Sequence, residues 1–179
     1  MELYTIQTKL FGEIKITNAG GLYDYYDVIL NGSKMKVLLS IEIDDEGDFV
    51  DNDDVIIIEN ILNHIPDMYK KAKSTISDEM DSNEVIKSFI EYYFDEYDIE
   101  PPEECFKIFG VNSIAELSKE AFAEKLEPRM IFVERSTERY SNSNIHCCFD
   151  FSLPKEFSDQ LLVVCFNAKY EIYDIAWES

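Results

Sequence analysis

The chain has 179 residues, 46% of them apolar, and its 37 acidic residues against 16 basic ones give a formal net charge of −21. That apolar share is enough for a real core and argues against disorder, which needs low hydrophobicity as well as high charge. Such a negative surface repels nucleic acid and anionic membrane, and it favours a basic protein partner or plain solubility.

The longest apolar run, Val55-Ile56-Ile57-Ile58, is far short of the ~20 residues of a bilayer span. The first residues, Met1-Glu2-Leu3-Tyr4, lack the basic segment and apolar stretch of a secretory signal, so a cytoplasmic protein is expected. Cysteine usage fits that expectation. Cys105, Cys147, Cys148 and Cys165 show no C-x-x-C spacing, and a chain with this much core needs no covalent staples. They are read as reduced thiols.

Residues 1–43 read as strands. Phe11-Gly12-Glu13-Ile14-Lys15-Ile16 alternates apolar and polar residues, and Tyr25-Tyr26-Asp27-Val28-Ile29-Leu30 runs into Asn31-Gly32. Met35, Val37, Leu39, Ile41 and Ile43 follow at period two. Asn-Gly between two such runs predicts a hairpin, because both residues tolerate positive φ.

Residues 44–128 read as mainly helical. Val55, Ile58, Ile61, Leu62 and Ile65 keep helical spacing behind Asp51-Asn52-Asp53-Asp54, which suits a helix start both as cap and against the dipole. Pro66 is expected to end, kink or restart that helix, with Met68, Tyr69, Ala72, Ile76 and Met80 suggesting a second one. A third stripe joins Val85, Ile86, Phe89, Ile90, Tyr93, Phe94 and Tyr97, with Asp81 or Ser82 as cap and Pro101-Pro102 beyond its end. Ser113-x-x-Glu116 has the form of a capping box ahead of Ile114, Leu117, Ala121 and Phe122, with Pro128 marking the end.

Residues 129–179 read as strands again: Met130 to Glu134, Ile145 to Leu153, Leu161 to Asn167 and Tyr170 to Trp177, with a hairpin turn at Asn167-Ala168-Lys169. With no repeat, low-complexity tract or flexible linker, residues 1–179 are expected to form one α+β domain. Its antiparallel sheet would be built from N- and C-terminal strands and packed against the central helices.

The charge is unevenly spread. Residues 44–104 hold 20 acids against four lysines, whereas residues 1–43 hold five against four and residues 105–179 hold 12 against eight basic residues. Within the central segment, Asp44 to Asp54 is the densest run. An EF-hand loop needs glycine at its sixth position and glutamate at its twelfth, where a start at Asp44 supplies Phe49 and Val55. That run reads as a solvated loop, and no metal or other cofactor is expected. Asp95, Glu96, Asp98 and Glu100 come at the end of the third stripe, where negative charge opposes the helix dipole. With Tyr92 beside them they form the candidate partner-binding surface, although tyrosines on such a stripe serve a core equally well.

No catalytic residues are expected. The two histidines are His64 and His146, and in a strand His146, Cys147 and Cys148 point to alternating faces, which leaves too few ligands together for zinc. A Cys-His pair meeting in space stays open. Glycine-rich phosphate loops are lacking. Arg129, Arg135 and Arg139 fall in one short stretch, where pairing with the chain's own acids is expected over gripping an anionic ligand.

Phe11-Gly12, Tyr25-Tyr26, Asn31-Gly32, the helix from Val55 to Ile65, and the closing strands Cys148 to Asp150 and Leu161 to Phe166 with Trp177-Glu178-Ser179 resemble a family of bacterial cytosolic domains of unknown function. In size, acidity and layout the chain is also similar to bacterial immunity proteins that neutralise toxins. The resemblance implies fold and setting, not chemistry. The functional expectation is a non-catalytic protein-binding module, in its sharpest form an immunity protein against a basic toxin. The alternatives are a carboxylate-dependent hydrolase and a module that adds a sheet edge to a partner.

Overall fold

The computed structural model describes residues 3–17, 22–42, 50–94, 107–140, 143–154 and 159–179. Strands β1 (Leu3–Thr8) and β2 (Gly12–Thr17) form an antiparallel ribbon. Strands β3 (Leu22–Leu30), β4 (Ser33–Ile41), β5 (Glu127–Tyr140), β6 (Ser143–Ser152), β7 (Leu161–Asn167) and β8 (Ile172–Glu178) lie in that order in one six-stranded sheet. Its pairings are antiparallel except β4–β5, which is parallel. The fold class expected from the sequence therefore holds: an α+β arrangement with strands from both ends packed against central helices. The parallel junction follows from the helical excursion, since parallel neighbours need a crossover rather than a hairpin.

The Asn31-Gly32 turn forms as predicted, with φ of 50° and 82°, the signs a two-residue turn of matching twist requires. The Asn167 turn also forms, the Asn167 side chain accepting from the N–H groups of Lys169 and Glu171. Tyr170 belongs to that turn, at φ 63°, and β8 begins only at Ile172.

Helix α1 (Asn52–Glu79) is capped as expected: Asp51 Oδ1 accepts from Asp54 N at 2.9 Å. Val50 and Val55, the positions of a hydrophobic staple, are both buried. The expected division at Pro66 does not occur, and the helix runs through it for 28 residues. A proline inside a helix costs about 3 kcal/mol. Beyond it α1 buries Met68, Tyr69, Ala72 and Ile76, and a fully buried large apolar side chain is worth about 1.5–3 kcal/mol. Packing outweighs the lost backbone bond.

Helix α2 (Glu84–Phe94) buries Ile86, Phe89, Ile90 and Tyr93 as its stripe predicts. Its cap is Asn83, whose Oδ1 accepts from Val85 N at 3.0 Å, and not Asp81 or Ser82. Asp81 instead pairs with Lys119 at 2.8 Å. The Ser113 capping box is also corrected. Residues Ile114–Glu116 make one 3₁₀ turn in which Ser113 makes no side-chain cap bond, and Glu116 reaches Asn112 N at 2.9 Å. Helix α3 (Lys119–Lys125) starts later, capped by Ser118.

Helices and sheet meet through aromatic rings. Tyr69 of α1 lies against Phe149 and Phe151 of β6, while Phe89 and Tyr92 of α2 lie against Trp177 of β8. Ile6, Ile14 and Ile16 of the β1–β2 ribbon join the same core, and Lys9 N donates to Asn63 Oδ1 of α1. Between α1 and α3, Lys73 donates to the carbonyls of Ala123 and Leu126. Burial lowers its ammonium to about 8, opposed by Glu124. A lysine depressed in this way marks an active site when it faces a cleft. Lys73 instead satisfies the orphan carbonyls at the end of α3 and is structural.

Candidate functional site: the second face of the sheet

Alternation along the strands gives the sheet two faces. On β6, Ile145, Cys147, Phe149 and Phe151 belong to the helix-covered core. His146, Cys148 and Asp150 turn the other way, and so do Leu38, Phe132 and Val163, their register neighbours. Leu38, Cys148 and Val163 are buried yet stand apart from that core cluster. Among the described residues, the helix packing identified above falls on the first face.

Register places the side chains of this second face in rows across the strands. One row runs Tyr23, Ser40, Glu134, His146 and Asn167 from β3 to β7; the next runs Tyr25, Leu38, Phe132, Cys148 and Cys165. At the β3–β5 end a cleft of about 560 Å³ opens, with Leu22, Leu38 and Phe132 as apolar lining and Tyr23, Ser40, Glu42 and Glu134 as polar lining. Among the described residues, no lysine or arginine lines it. Tyr23, Tyr25 and Ile29 project from edge strand β3 beside it, with exposures of 67%, 45% and 71%.

Two interactions position the acidic residues of this cleft, one at a carboxylate and one at the backbone. His146 Nε2 stands 3.3 Å from Glu134 Oε2, and that hydrogen bond, against the opposing effect of burial, keeps the Glu134 carboxyl below its ordinary value. On the opposite face Arg135, itself 3% exposed, donates to Asp54 Oδ2 at 2.7 Å and to the Glu42 carbonyl at 2.8 Å. The Glu42 N–H in turn reaches the Arg135 carbonyl at 2.9 Å. This clamp ties the start of α1 to the end of β4 and fixes the backbone that carries Glu42.

The cations near the cleft are already engaged. Lys36 Nζ lies 5.4 Å over the Tyr25 ring, and Lys34 pairs with Asp27 at 2.8 Å. Arg129 behaves as the sequence suggests, pairing with Glu127 at 3.4 Å and donating to Ser152 Oγ and the Leu153 carbonyl.

The cysteines require a correction. Cys148 and Cys165 are direct partners in the β6–β7 register, 4.1 Å apart at Cα, and are joined in a disulfide. Spacing along the chain does not reveal it, because the two stand 17 positions apart and only strand register brings them face to face. Cys147 faces the core as a free thiol, and burial raises it far above the ordinary thiol range. Neither Cys147 nor Cys148 is thus a thiolate for His146, and Cys105 lies outside the described residues. Ser40 and His146 share a row, but β5 stands between them. Two strand spacings of about 4.8 Å put the hydroxyl beyond direct proton transfer to the imidazole. Among the described residues no group of three or more His, Cys, Asp or Glu side chains is arranged to hold a metal, and no helix is long and apolar enough to cross a membrane.

Of the partner-binding residues expected from the sequence, Asp95, Glu96, Asp98 and Glu100 lie outside the described residues. Tyr92 is half-buried, its ring 5.3 Å from Trp177 and 5.4 Å from Tyr93. It is part of the α2–β8 packing. The sequence pattern does not single out the cleft residues Tyr23, Ser40, Phe132 and Glu134. The signal was present in β3, where Leu22, Tyr26, Val28 and Leu30 supply one face and Tyr23, Tyr25 and Ile29 make the other apolar as well. No family model, curated protein or solved structure matches this chain.

Proposed function

We propose that this chain is a non-catalytic protein-binding module that docks a basic protein through the second face of its sheet. An immunity protein against a basic toxin is the sharpest form of that reading. The observation that carries it is the conjunction on β3 to β5 of exposed Tyr23, Tyr25 and Ile29 with a cleft whose charged lining, among the described residues, is Glu42 and Glu134. Aromatic anchors with a polar rim suit a protein interface, and a net charge of −21 steers basic surfaces toward it.

The test is affinity capture from an extract of the native cells, comparing wild type with a Tyr23→Ala, Ile29→Asp variant. The wild type should retain a basic protein that elutes as salt rises, and the variant should lose it. Equal retention by both would remove this face from the interface.

A further inference from the structure

We infer that the cleft between β3, β4 and β5 is an anchor site for a guanidinium group, an arginine side chain inserted by the basic partner. The inference rests on the protein-binding reading for the source of that side chain, but its chemistry is read from the cleft itself.

Three features select this occupant. The lining joins an apolar surface, Leu38 and Phe132, to two carboxylates, Glu42 and Glu134. A long aliphatic stem ending in a cation matches that division, burying methylenes below and its charge at the rim. Secondly, Glu134 is oriented before anything binds, because His146 holds one carboxylate oxygen from the neighbouring strand. A fixed carboxylate suits a planar fork of donors better than a rotating ammonium. Thirdly, Tyr23 and Phe132 both line the cleft, and a guanidinium stacks on aromatic faces and sheds water more readily than an ammonium does. The Ser40 hydroxyl, in the row between Tyr23 and Glu134, supplies a further acceptor.

Among the described residues, the nearby cations are engaged elsewhere. Lys34 and Lys36 are engaged with Asp27 and Tyr25 toward the hairpin end of the same strands, and Arg135 is turned to the opposite face against Asp54.

The experiment is titration of the isotope-labelled full chain with N-acetyl-arginine methylamide, read by amide chemical shifts. The citrulline analogue, isosteric and uncharged, and the lysine analogue serve as controls. The arginine probe should move resonances at Tyr23, Ser40, Phe132 and Glu134 saturably, with the citrulline analogue at least tenfold weaker and the lysine analogue in between. Glu134→Gln should weaken the probe by roughly tenfold, and exposed Tyr23→Leu, which leaves the core untouched, should weaken it severalfold. Glu120→Gln on α3 should change nothing.

Shifts that are equal for arginine and citrulline probes, or that arise away from the cleft, overturn the inference. Cleft shifts with no basic protein captured in the preceding test would leave the site standing and discard the protein-binding reading. Capture of a basic protein without cleft shifts would do the reverse.

Discussion

On β6, Ile145, Cys147, Phe149 and Phe151 turn toward the helices, while His146, Cys148 and Asp150, one residue out of step, turn away. Both sets are buried, at 9% exposure or less. The first set is buried by another layer of structure, with Tyr69 against two of its rings. The second is buried beside strand neighbours and holds groups that a core would reject. Depth of burial therefore does not distinguish the face packed on helices from the other face of the sheet. The kind of group buried does, because a buried polar side chain is costly unless something answers it.

The difference can be broken most forcefully from the core side. Phe149→Ala empties a fully buried ring position touching Tyr69, Phe151 and Phe166. It should cost about 3–5 kcal/mol in denaturant unfolding. On the second face the corresponding loss should come from covalent linkage and not from packing. Replacing Cys148 and Cys165 together by Ser opens a 17-residue separation and should cost about 3 kcal/mol on the chain-entropy account. Thiol counting on the denatured wild type, with and without reductant, checks the bond independently.

Asp150 sharpens the comparison through pH. Burial, with the Glu178 charge added, pushes its carboxyl up to about 6 from an ordinary 3.8. The folded state thus keeps a proton that the unfolded state gives up. Stability from this group is complete below about pH 4 and is lost as pH rises through 6. Asp150→Asn should raise stability above pH 6 by roughly 1–2 kcal/mol, after allowance for residual solvent, and change little at pH 4. Urea midpoints at pH 4, 5, 6 and 7 would show it, and a constant difference across that range would contradict the assignment.

The smallest effect is expected at Ile29, 71% exposed on β3. Ile29→Ser should change folding stability by no more than about 0.5 kcal/mol. If Ile29 belongs to the interface, partner binding should fall well beyond that margin, so stability and binding measured on the same variant would separate the two roles.

Much of the fold was legible because it is written in local pattern. Asn31-Gly32 sets its hairpin by backbone conformation alone, and the stripe from Val55 to Ile65 sets its helix by period. Local pattern misleads where distant residues decide the outcome. Pro66 is a helix breaker until Met68, Tyr69 and Ile76 have a sheet to pack on. Cys148 and Cys165 look like reduced thiols until β6 and β7 are in register. The candidate site was hidden for the same reason, since Tyr23, Ser40, Glu134 and His146 come from four strands spanning more than 120 positions. Only β3 shows the second face in its own pattern, through Tyr23, Tyr25 and Ile29.

The parallel junction between β4 and β5 also has a consequence for the birth of the chain. Ser40 waits for Glu134, and at a synthesis rate of about 5–20 residues per second that delay is roughly 5–20 s. Until then the inner edge of β4, which carries Val37, Leu38, Leu39 and Ile41, has no β5 to pair with. Exposed edges of this composition recruit strands from neighbouring nascent chains. The segment synthesised next, from residue 44 to residue 104, holds 20 acids against four lysines, and like charge on neighbouring nascent chains opposes their association.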